Sequence, residues 1–507
     1  MNINNRKEDN RILELSNARI TDVINGCFFP ENTSLLIQNG KILWIGRKPA
    51  DGSGIKPDIV IDLRGLTVLP GLFNTHCHIQ MVNPTIMVNC KTLREVKKLH
   101  DLQVDYNMEE CIARGITNIR DAYTEDLKLN RQLIRRINSG ELRGPRIQQA
   151  VVVGVKGGYL SPKLRGLNSI IAGVMGRSNI SYEDKDSGVV VFSRDADERE
   201  IRGKVDLAVM ERGADLIKVG ESLEESLINR NPFLMKTEQL SAITGQARKR
   251  GMKSTIHSVS VETFRRAVSA GFSSIAHLPR DGIISTGDAD KCRRAGCIID
   301  PTLSVGYDMS WKLSGDPFCG DPGMESLYSY RNRVFQSATD EFWIPGLKKI
   351  VMQGYKKASK GKYNLFGFIG ISKLLGHFSG LPSYGFKNAG ILYENGLTLS
   401  CGNDGGIQSC TPAGIGIELE LMEMAINQDR RDKIIDPAEI IRAATINSAR
   451  SMGLEGSFGS IEAGKNADLM IVKGDPFENV SIIGKPVDAL FMDGKPVIDN
   501  LGISEGY

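Results

Sequence analysis

The sequence lacks long hydrophobic runs, and it has no strong excess of charge of either sign. No apolar stretch approaches the ~20 residues that a membrane-spanning helix needs, and the N-terminal stretch lacks the apolar core of a signal peptide. Lys and Arg total 64 against 60 Asp and Glu, a formal net charge of +4 on 507 residues, which is too dilute to favour a nucleic acid or a membrane surface. We therefore expect a cytoplasmic protein with neither of these partners.

The sequence also lacks paired cysteines. Its nine cysteines form no CxxC pair and no regular framework, and their number is odd. In a long chain without an export signal, such residues are expected to be reduced thiols. Hydrophobic residues make up 41% and charged residues 24% of the chain, which is typical of a globular protein with a sizeable core.

The two ends of the chain differ in pattern from its middle. Short β-like runs separated by turns occur near both termini, and Asn39-Gly40 between two such runs is a hairpin signal. We expect residues 1–68 and 455–507 to pair into a small composite β-sandwich domain. Residues 69–454 alternate apolar β-like runs with helical periodicity, the pattern of βα units around a parallel sheet.

The middle region contains eight such runs, and several of the helix-like segments end at glycine, as expected of a left-handed C-cap. We therefore predict an α/β fold, a (β/α)8 TIM barrel. An insertion at about 304–395 breaks the spacing, and it is either a lid or substrate wall or a segment with no chemical role. The predicted strands cover 68–76, 116–121, 146–151, 214–220, 253–257, 273–277, 297–303 and 397–404.

Histidine is scarce, yet four of the six histidines fall at the ends of predicted barrel strands, where barrel enzymes place their active sites. His76 and His78 are one residue apart at a strand end, so alternation points both imidazoles to one side, as a metal site requires. Cys77 between them faces the other way and is interpreted as core packing. The other polar residues at strand ends are Lys218, His257, His277 and Asp404.

Lys218 allows two interpretations. It is either a lysine whose ammonium reaches solvent or, because a bare ammonium beside divalent cations would be repelled, a carbamate formed with carbon dioxide that bridges two metals. The neighbouring histidines favour the bridge.

This set of residues, in this order, resembles the amidohydrolase superfamily, specifically its binuclear branch with a carbamylated lysine, which includes imidazolonepropionase-like and prolidase-like enzymes. The matching motifs are Gly-Ala-Asp-Leu-Ile-Lys at 213–218, Ile-Ala-His at 275–277 and Gly-Asn-Asp-Gly-Gly at 402–406. Segments 68–71 and 459–469 resemble the composite β-domain of the same superfamily, so the resemblance covers nearly the whole chain.

The resemblance implies two divalent metal ions, most often zinc, and a metal-bridging hydroxide that cleaves an amide or cyclic amide C–N bond of a small molecule, such as an N-acyl amino acid, a dipeptide or a lactam or hydantoin. Asp404 would be the catalytic group that takes the proton of the water and returns it to the leaving group. Homo-oligomers are common in the family. The implied ligands are His76, His78, Lys218 and Asp404 for the more buried ion, and Lys218, His257 and His277 for the other.

The sequence departs from the family at two points. Tyr159 stands where relatives often have histidine after two glycines, and Asn403 stands where threonine is usual before the aspartate. Tyr159 either contacts substrate or packs in its loop. Arg280 and Arg120 are either carboxylate clamps or structural residues. His100 receives no role, and His377 reaches the site only if the insertion folds over it.

Two alternatives to the binuclear hydrolase stay open. A mononuclear-metal deaminase of an aminated heterocycle belongs to the same superfamily, but the residues after His257 lack a close His-x-x-Glu and Lys218 is present. A non-catalytic scaffold would be expected to lose metal ligands, and all the expected ligands are present.

Overall fold

The computed structural model describes residues 10–47, 54–81, 92–161, 182–224, 232–305, 384–406, 410–427 and 435–503. Its strands are β1 (Leu13–Ser16), β2 (Arg19–Asp22), β3 (Cys27–Phe28), β4 (Thr33–Gln38), β5 (Lys41–Arg47), β6 (Ile59–Asp62), β7 (Leu66–Pro70), β8 (Leu72–Cys77), β9 (Ile116–Asp121), β10 (Arg146–Val155), β11 (Val189–Phe192), β12 (Leu216–Glu221), β13 (Ser254–Ser258), β14 (Ser274–Ala276), β15 (Ile298–Asp300), β16 (Leu469–Lys473), β17 (Ala489–Met492) and β18 (Lys495–Asp499). Its helices are α1 (Leu93–Ala113), α2 (Leu127–Ser139), α3 (Glu198–Met210), α4 (Thr237–Lys249), α5 (Val261–Ala270), α6 (Thr286–Arg294), α7 (Phe386–Glu394), α8 (Ile415–Asn427), α9 (Pro437–Ala444) and α10 (Ile446–Met452).

A parallel barrel forms the centre of the molecule. Its strands follow one another in the order β8, β9, β10, β12, β13, β14 and β15. Segment 397–405 lies between β15 and β8 and closes the ring, since Ser400 N donates to Ile299 O at 2.9 Å and Thr75 N donates to Cys401 O at 2.8 Å. The predicted (β/α)8 barrel is confirmed, and its eighth strand is this closing segment.

Local sequence explains where the barrel helices begin and end. In α2, Asp126 accepts hydrogen bonds from the backbone N–H groups of the first turn, and Gly140 follows the helix with φ 79°. In α5, Ser260 and Gly271 (φ 76°) play the same parts. These two helices thus end at a left-handed glycine, as predicted, and the next strand follows after a short loop.

Strand β11 was not predicted. It pairs in parallel with the C-terminal half of β10, at 152–155, whereas 146–149 of β10 pair with β9. Its four residues form a short apolar run, Val-Val-Val-Phe, and a run of this length does not by itself distinguish a strand from a buried helical segment.

The β-rich termini form two sheets that share an apolar core. The four-stranded sheet has the order β5-β4-β1-β6, and the six-stranded sheet has the order β18-β17-β16-β7-β2-β3. The core includes Leu15 and Leu35 from the first sheet and Val68, Ile471 and Phe491 from the second. The predicted β-domain built from both termini is therefore present.

The sandwich continues directly into the barrel. Strand β7 ends at Pro70 and β8 begins at Leu72, so Gly71 alone separates the two. The predicted domain boundary at 68/69 falls within β7, and the boundaries as such stay a prediction. Most of the predicted insertion, including His377, lies outside the described residues. Within the described part of the chain, no helix is both long and apolar enough to cross a membrane.

Candidate metal centre

His76, His78 and Asp404 meet at the carboxyl end of the barrel strands. His76 lies in β8 and His78 follows its last residue, so alternation along the strand brings both rings to one side. Oδ1 of Asp404 lies 2.8 Å from Nε2 of His78 and 3.4 Å from Nε2 of His76. All three side chains are buried, and their possible ligand atoms lie within 4.8 Å of one another, close enough to hold one metal ion.

His257 and His277 extend this group across the barrel mouth. His257 lies in β13, and His277 directly follows β14. The ring centroid of His277 lies 4.9 Å from that of His76 and 4.4 Å from that of His257. The four histidines predicted to bind metal therefore lie within one buried cluster.

The backbone at His277 is held in an uncommon conformation. His277 and Thr302 have φ values of 74° and 50°, and Asp404 has 55°, all in the left-handed region that side chains rarely adopt. Nδ1 of His277 is 2.6 Å from the hydroxyl of Thr302. This contact fixes the ring and leaves Nε2 as the ring nitrogen that could bind a metal ion. Such strain persists only where the surroundings enforce it, and it concentrates at functional sites.

Lys218 lies in β12 and is almost fully buried, with 1% of its surface exposed. Burial lowers its pKa to about 7, although the charges of Asp404 and Asp300 favour the ammonium. Among the described residues, Nζ has no hydrogen-bond partner. A buried ammonium without an acceptor is costly, so this environment favours the neutral amine.

The protonation states of the cluster suit a bound cation. Burial, followed by the charge of Lys218, lowers the pKa of His76 to about 3, and the pKa values of His257 and His277 fall well below the usual value, chiefly through burial. Burial alone would raise the pKa of Asp404, but the contacts with His76 and His78 bring it well below the usual value. Neutral imidazoles and an ionised carboxylate are the forms that bind metal. Nε2 of His257 has no hydrogen-bond partner among the described residues, which also fits a metal ligand.

Two paired side-chain amides hold the backbone next to the cluster of possible metal ligands described first. Asn74 donates through Nδ2 to Oδ1 of Asn403 at 2.8 Å, and its own Oδ1 accepts from His76 N at 3.1 Å. Asn403 donates to Thr411 O at 2.7 Å, and its Oδ1 also accepts from Gly405 N at 3.0 Å. Asn403 was noted in the sequence only as a departure from the family, and nothing in the sequence singled out Asn74 as its partner.

A buried polar group also contains Arg120. Asp300 accepts from the hydroxyls of Thr75, at 2.7 Å, and Ser400, and it lies 3.9 Å from Arg120. Arg120 is fully buried and donates to the carbonyl of Ser451 in α10. Of the two interpretations of Arg120, the structural one therefore fits its contacts.

Tyr159 and Arg280 both lie beside the histidine cluster. The ring of Tyr159 stacks on His257 with centroids 4.5 Å apart and an interplanar angle of 22°. Arg280 is buried, and its Nη1 lies 3.5 Å from Oε1 of Glu224. The pKa of His257 is lowered chiefly by burial, then by the charge of Lys218 and then by the charge of Arg280. The structure thus brings both residues close to His257.

Comparisons with known proteins identify relatives of the chain in sequence and in fold. An imidazolonepropionase of Picrophilus torridus is 42% identical over 65 residues, 12% of this chain and 16% of that protein. The chain thus matches less than a fifth of the length of this curated relative. A prolidase complexed with N-methylphosphonate-L-proline has a TM-score of 0.67 at 19% identity, over 96% of this chain and 100% of that one. A Xaa-Pro dipeptidase with bound methionine has a TM-score of 0.63 at 22% identity, over 96% and 99%.

At these identities, the solved structures support the fold. The model of the amidohydrolase family matches residues 67–497, which span the barrel and most of the C-terminal strands. The resemblance to the amidohydrolase superfamily is thereby confirmed, as is the expectation of a family whose members are hydrolases of C–N bonds. The binuclear branch with a carbamylated lysine stays a prediction. The chain belongs to the amidohydrolase family.

Proposed function

We propose that the chain is a metal-dependent hydrolase that cleaves an amide or cyclic amide C–N bond of a small molecule. The observation that carries the proposal is the buried cluster at the carboxyl end of the barrel, in which four histidines, an ionised aspartate and a buried lysine with a lowered pKa come together. Substrates in this class include N-acyl amino acids, dipeptides, lactams and hydantoins.

The residues fit two divalent ions, most simply zinc. His76, His78 and Asp404 would hold one ion, His257 and His277 the other, and Lys218 would serve both. When bound, such ions polarise a carbonyl and lower the pKa of water. Asp404 accepts a proton from the attacking water and passes it to the departing nitrogen, because its ionised carboxylate lies in the same cluster.

Lys218 would serve both ions as a carbamate. Its neutral amine forms an N–C bond with carbon dioxide and releases one proton to solvent, which leaves an anionic group with two oxygens. The low pKa of Lys218 supports this step, because only the unprotonated amine carries the lone pair that attacks carbon dioxide.

Arg280 and Tyr159 are proposed to contact the substrate. A buried arginine close to the histidine cluster suits a substrate carboxylate. Two proteins of similar structure are a prolidase that was complexed with a proline derivative and a Xaa-Pro dipeptidase, which favours carboxylate-bearing substrates. Tyr159 would stack on or hydrogen-bond the group next to the scissile bond.

Metal content per chain tests the proposal. Metal-free protein is reloaded with zinc with and without bicarbonate, and the parent is compared with Lys218→Ala and with the exposed-lysine control Lys128→Ala. We expect about two ions in the parent and the control, fewer in Lys218→Ala, and slower loading without bicarbonate. A screen of N-acyl amino acids, dipeptides, lactams and hydantoins then identifies the bond that is cleaved. A parent that binds no metal, or a loaded parent that hydrolyses none of them, contradicts the proposal.

The alternative is a mononuclear deaminase of an aminated heterocycle. It is favoured by the compactness of the His76, His78 and Asp404 group, which by itself suits one ion. One ion per chain, unchanged in Lys218→Ala, together with ammonia release from aminated heterocycles, would support this alternative over the hydrolase.

A further inference from the structure

A buried carboxylate that is not among the proposed metal ligands binds a turn beside the metal site. Glu418 is in the first turn of α8, the helix that follows the closing strand of the barrel, and its side chain is fully buried. Its Oε1 accepts from Leu303 N and its Oε2 from Ser304 N, each at 2.8 Å. Burial raises the pKa of Glu418 to about 7, so the chain keeps this carboxyl in place against a desolvation cost.

Both amides belong to the turn that follows β15. Residues 303–305 begin a helical turn, and the first N–H groups of a helix have no acceptor within it. A carboxylate that accepts from two consecutive amides fixes this turn in one position. Thr302 directly precedes the pair, and its backbone is in the left-handed region.

Two hydrogen bonds connect the turn to the metal ligands. The hydroxyl of Thr302 lies 2.6 Å from Nδ1 of His277. The hydroxyl of Ser304 donates to the carbonyl of Asn403 at 3.1 Å, and the next residue is Asp404. A shift of the turn would therefore release the ring of His277 and the backbone beside Asp404 together.

We propose that Glu418 is a positioning residue of the metal site, which sets the orientation of His277 through Thr302 and the placement of Asp404 through Ser304. This inference rests on the proposed metal-dependent function. Both carboxylate oxygens of Glu418 accept from backbone N–H groups of the turn, so its effect reaches the site through the turn.

The test is zinc affinity, measured by competition with a chromophoric chelator, for Glu418→Gln, Thr302→Val, Thr302→Ser and the double variant Glu418→Gln/Thr302→Val. Gln keeps the size of the side chain but loses one acceptor, and Val removes the hydroxyl that contacts His277. We expect Glu418→Gln and Thr302→Val each to weaken the ion held with His277 roughly 10- to 100-fold, the range for partners of metal ligands. Thr302→Ser keeps the hydroxyl and should bind like the parent.

For the ion held with His277, both substitutions act through the contact between Thr302 and His277. The double variant should therefore bind that ion within about twofold of the more affected single variant. Glu14→Gln is the matched control: Glu14 is a fully buried carboxylate of the sandwich whose partner is the hydroxyl of Ser34, at 2.7 Å. It should lower the Tm without changing zinc affinity. If Glu418→Gln does not fold, unchanged zinc affinity in Thr302→Val overturns the inference, because it shows that the turn does not set the orientation of His277.

Two results would overturn the inference, and they differ. If the parent binds two ions and both Glu418→Gln and Thr302→Val bind them equally well, Glu418 serves only stability, while the proposed function stands. If the parent binds no zinc, the proposed function and this inference fall together.

Discussion

At the scale of single residues, the site depends on an amide side chain that both accepts and donates hydrogen bonds. Asn403 accepts through Oδ1 from Asn74 and Gly405 N, and it donates through Nδ2 to Thr411 O. A carboxylate of the same shape cannot donate, and threonine has a single polar atom in place of two. The asparagine is therefore required by its partners, in particular by Asn74, which itself holds the backbone N–H of His76.

We predict that Asn403→Asp lowers the free energy of unfolding by about 1–3 kcal/mol, because the donor to Thr411 O is replaced by an acceptor in a buried position. The displaced loop should also weaken zinc binding by His76, His78 and Asp404. Urea unfolding and chelator competition measure the two effects. Asn395→Asp, where the side chain donates to Ile391 O at the half-buried end of α7, is the control with an expected change below about 1 kcal/mol. An Asn403→Asp variant as stable as this control would show that the paired amides are dispensable.

At the scale of elements, the connection between sandwich and barrel determines where the first histidine strand lies. Strands β7 and β8 are joined through Gly71, whose missing Cβ leaves room for the side chain of Thr117 in β9. A Cβ added to Gly71 would come within 2.6 Å of Cγ2 of Thr117. The register of β8 against β9, and with it the position of His76 along the barrel axis, thus depends on the close approach of Gly71 to Thr117. Only glycine permits this approach.

Gly71→Ala is predicted to destabilise the protein by about 1–3 kcal/mol through this overpacking. The second substitution in Gly71→Ala/Thr117→Ala removes the closest atoms and should recover part of the loss. Gly203→Ala in α3 is the matched control, because a Cβ there meets no atom within 4 Å, and we expect it to be neutral or stabilising by up to about 1 kcal/mol. Thermal and urea unfolding of the three variants check the set; equal effects at positions 71 and 203 would contradict it.

At the scale of the whole molecule, the sandwich is fastened to the barrel by an ionic contact. Arg146, the first residue of β10, pairs with Asp468, directly before β16, and with Asp493 at 2.7 Å. Its guanidinium also lies 4.8 Å from the ring centroid of Phe458. Asp468 is buried, so this carboxylate depends on Arg146 for its charge partner.

Removal of that partner in Arg146→Ala should lower the free energy of unfolding by about 1–3 kcal/mol, because Asp468 is left buried without its cation. The partial exposure of Arg146 keeps the loss within this range. Arg202→Ala disrupts an exposed pair with Glu198 in α3 and should cost at most about 0.5 kcal/mol. Urea unfolding followed by both near- and far-UV circular dichroism compares them. Identical midpoints for the two variants would refute the fastening role of Arg146.

The sequence by itself determined the barrel, the terminal β-domain and the residues at the strand ends. These follow from local patterns: apolar runs, glycine after helices, and the alternation that puts His76 and His78 on one side. The bounds of β9 agree with the prediction to the residue, and the other barrel strands agree within a few residues. The cytoplasmic location, the homo-oligomeric state and the absence of nucleic-acid and membrane partners stay predictions.

Only the tertiary structure decided which side chains support the site. Asn74 meets Asn403 across 329 positions of sequence, and Glu418 meets Leu303 across 115. Such partners depend on which strands become neighbours when the barrel closes and on the side-chain rotamers that packing allows, and no local pattern records either. The direction of Arg120 toward Ser451 was decided in the same way, because a charge in a strand can serve a substrate or a structural partner until the neighbouring helix is in place.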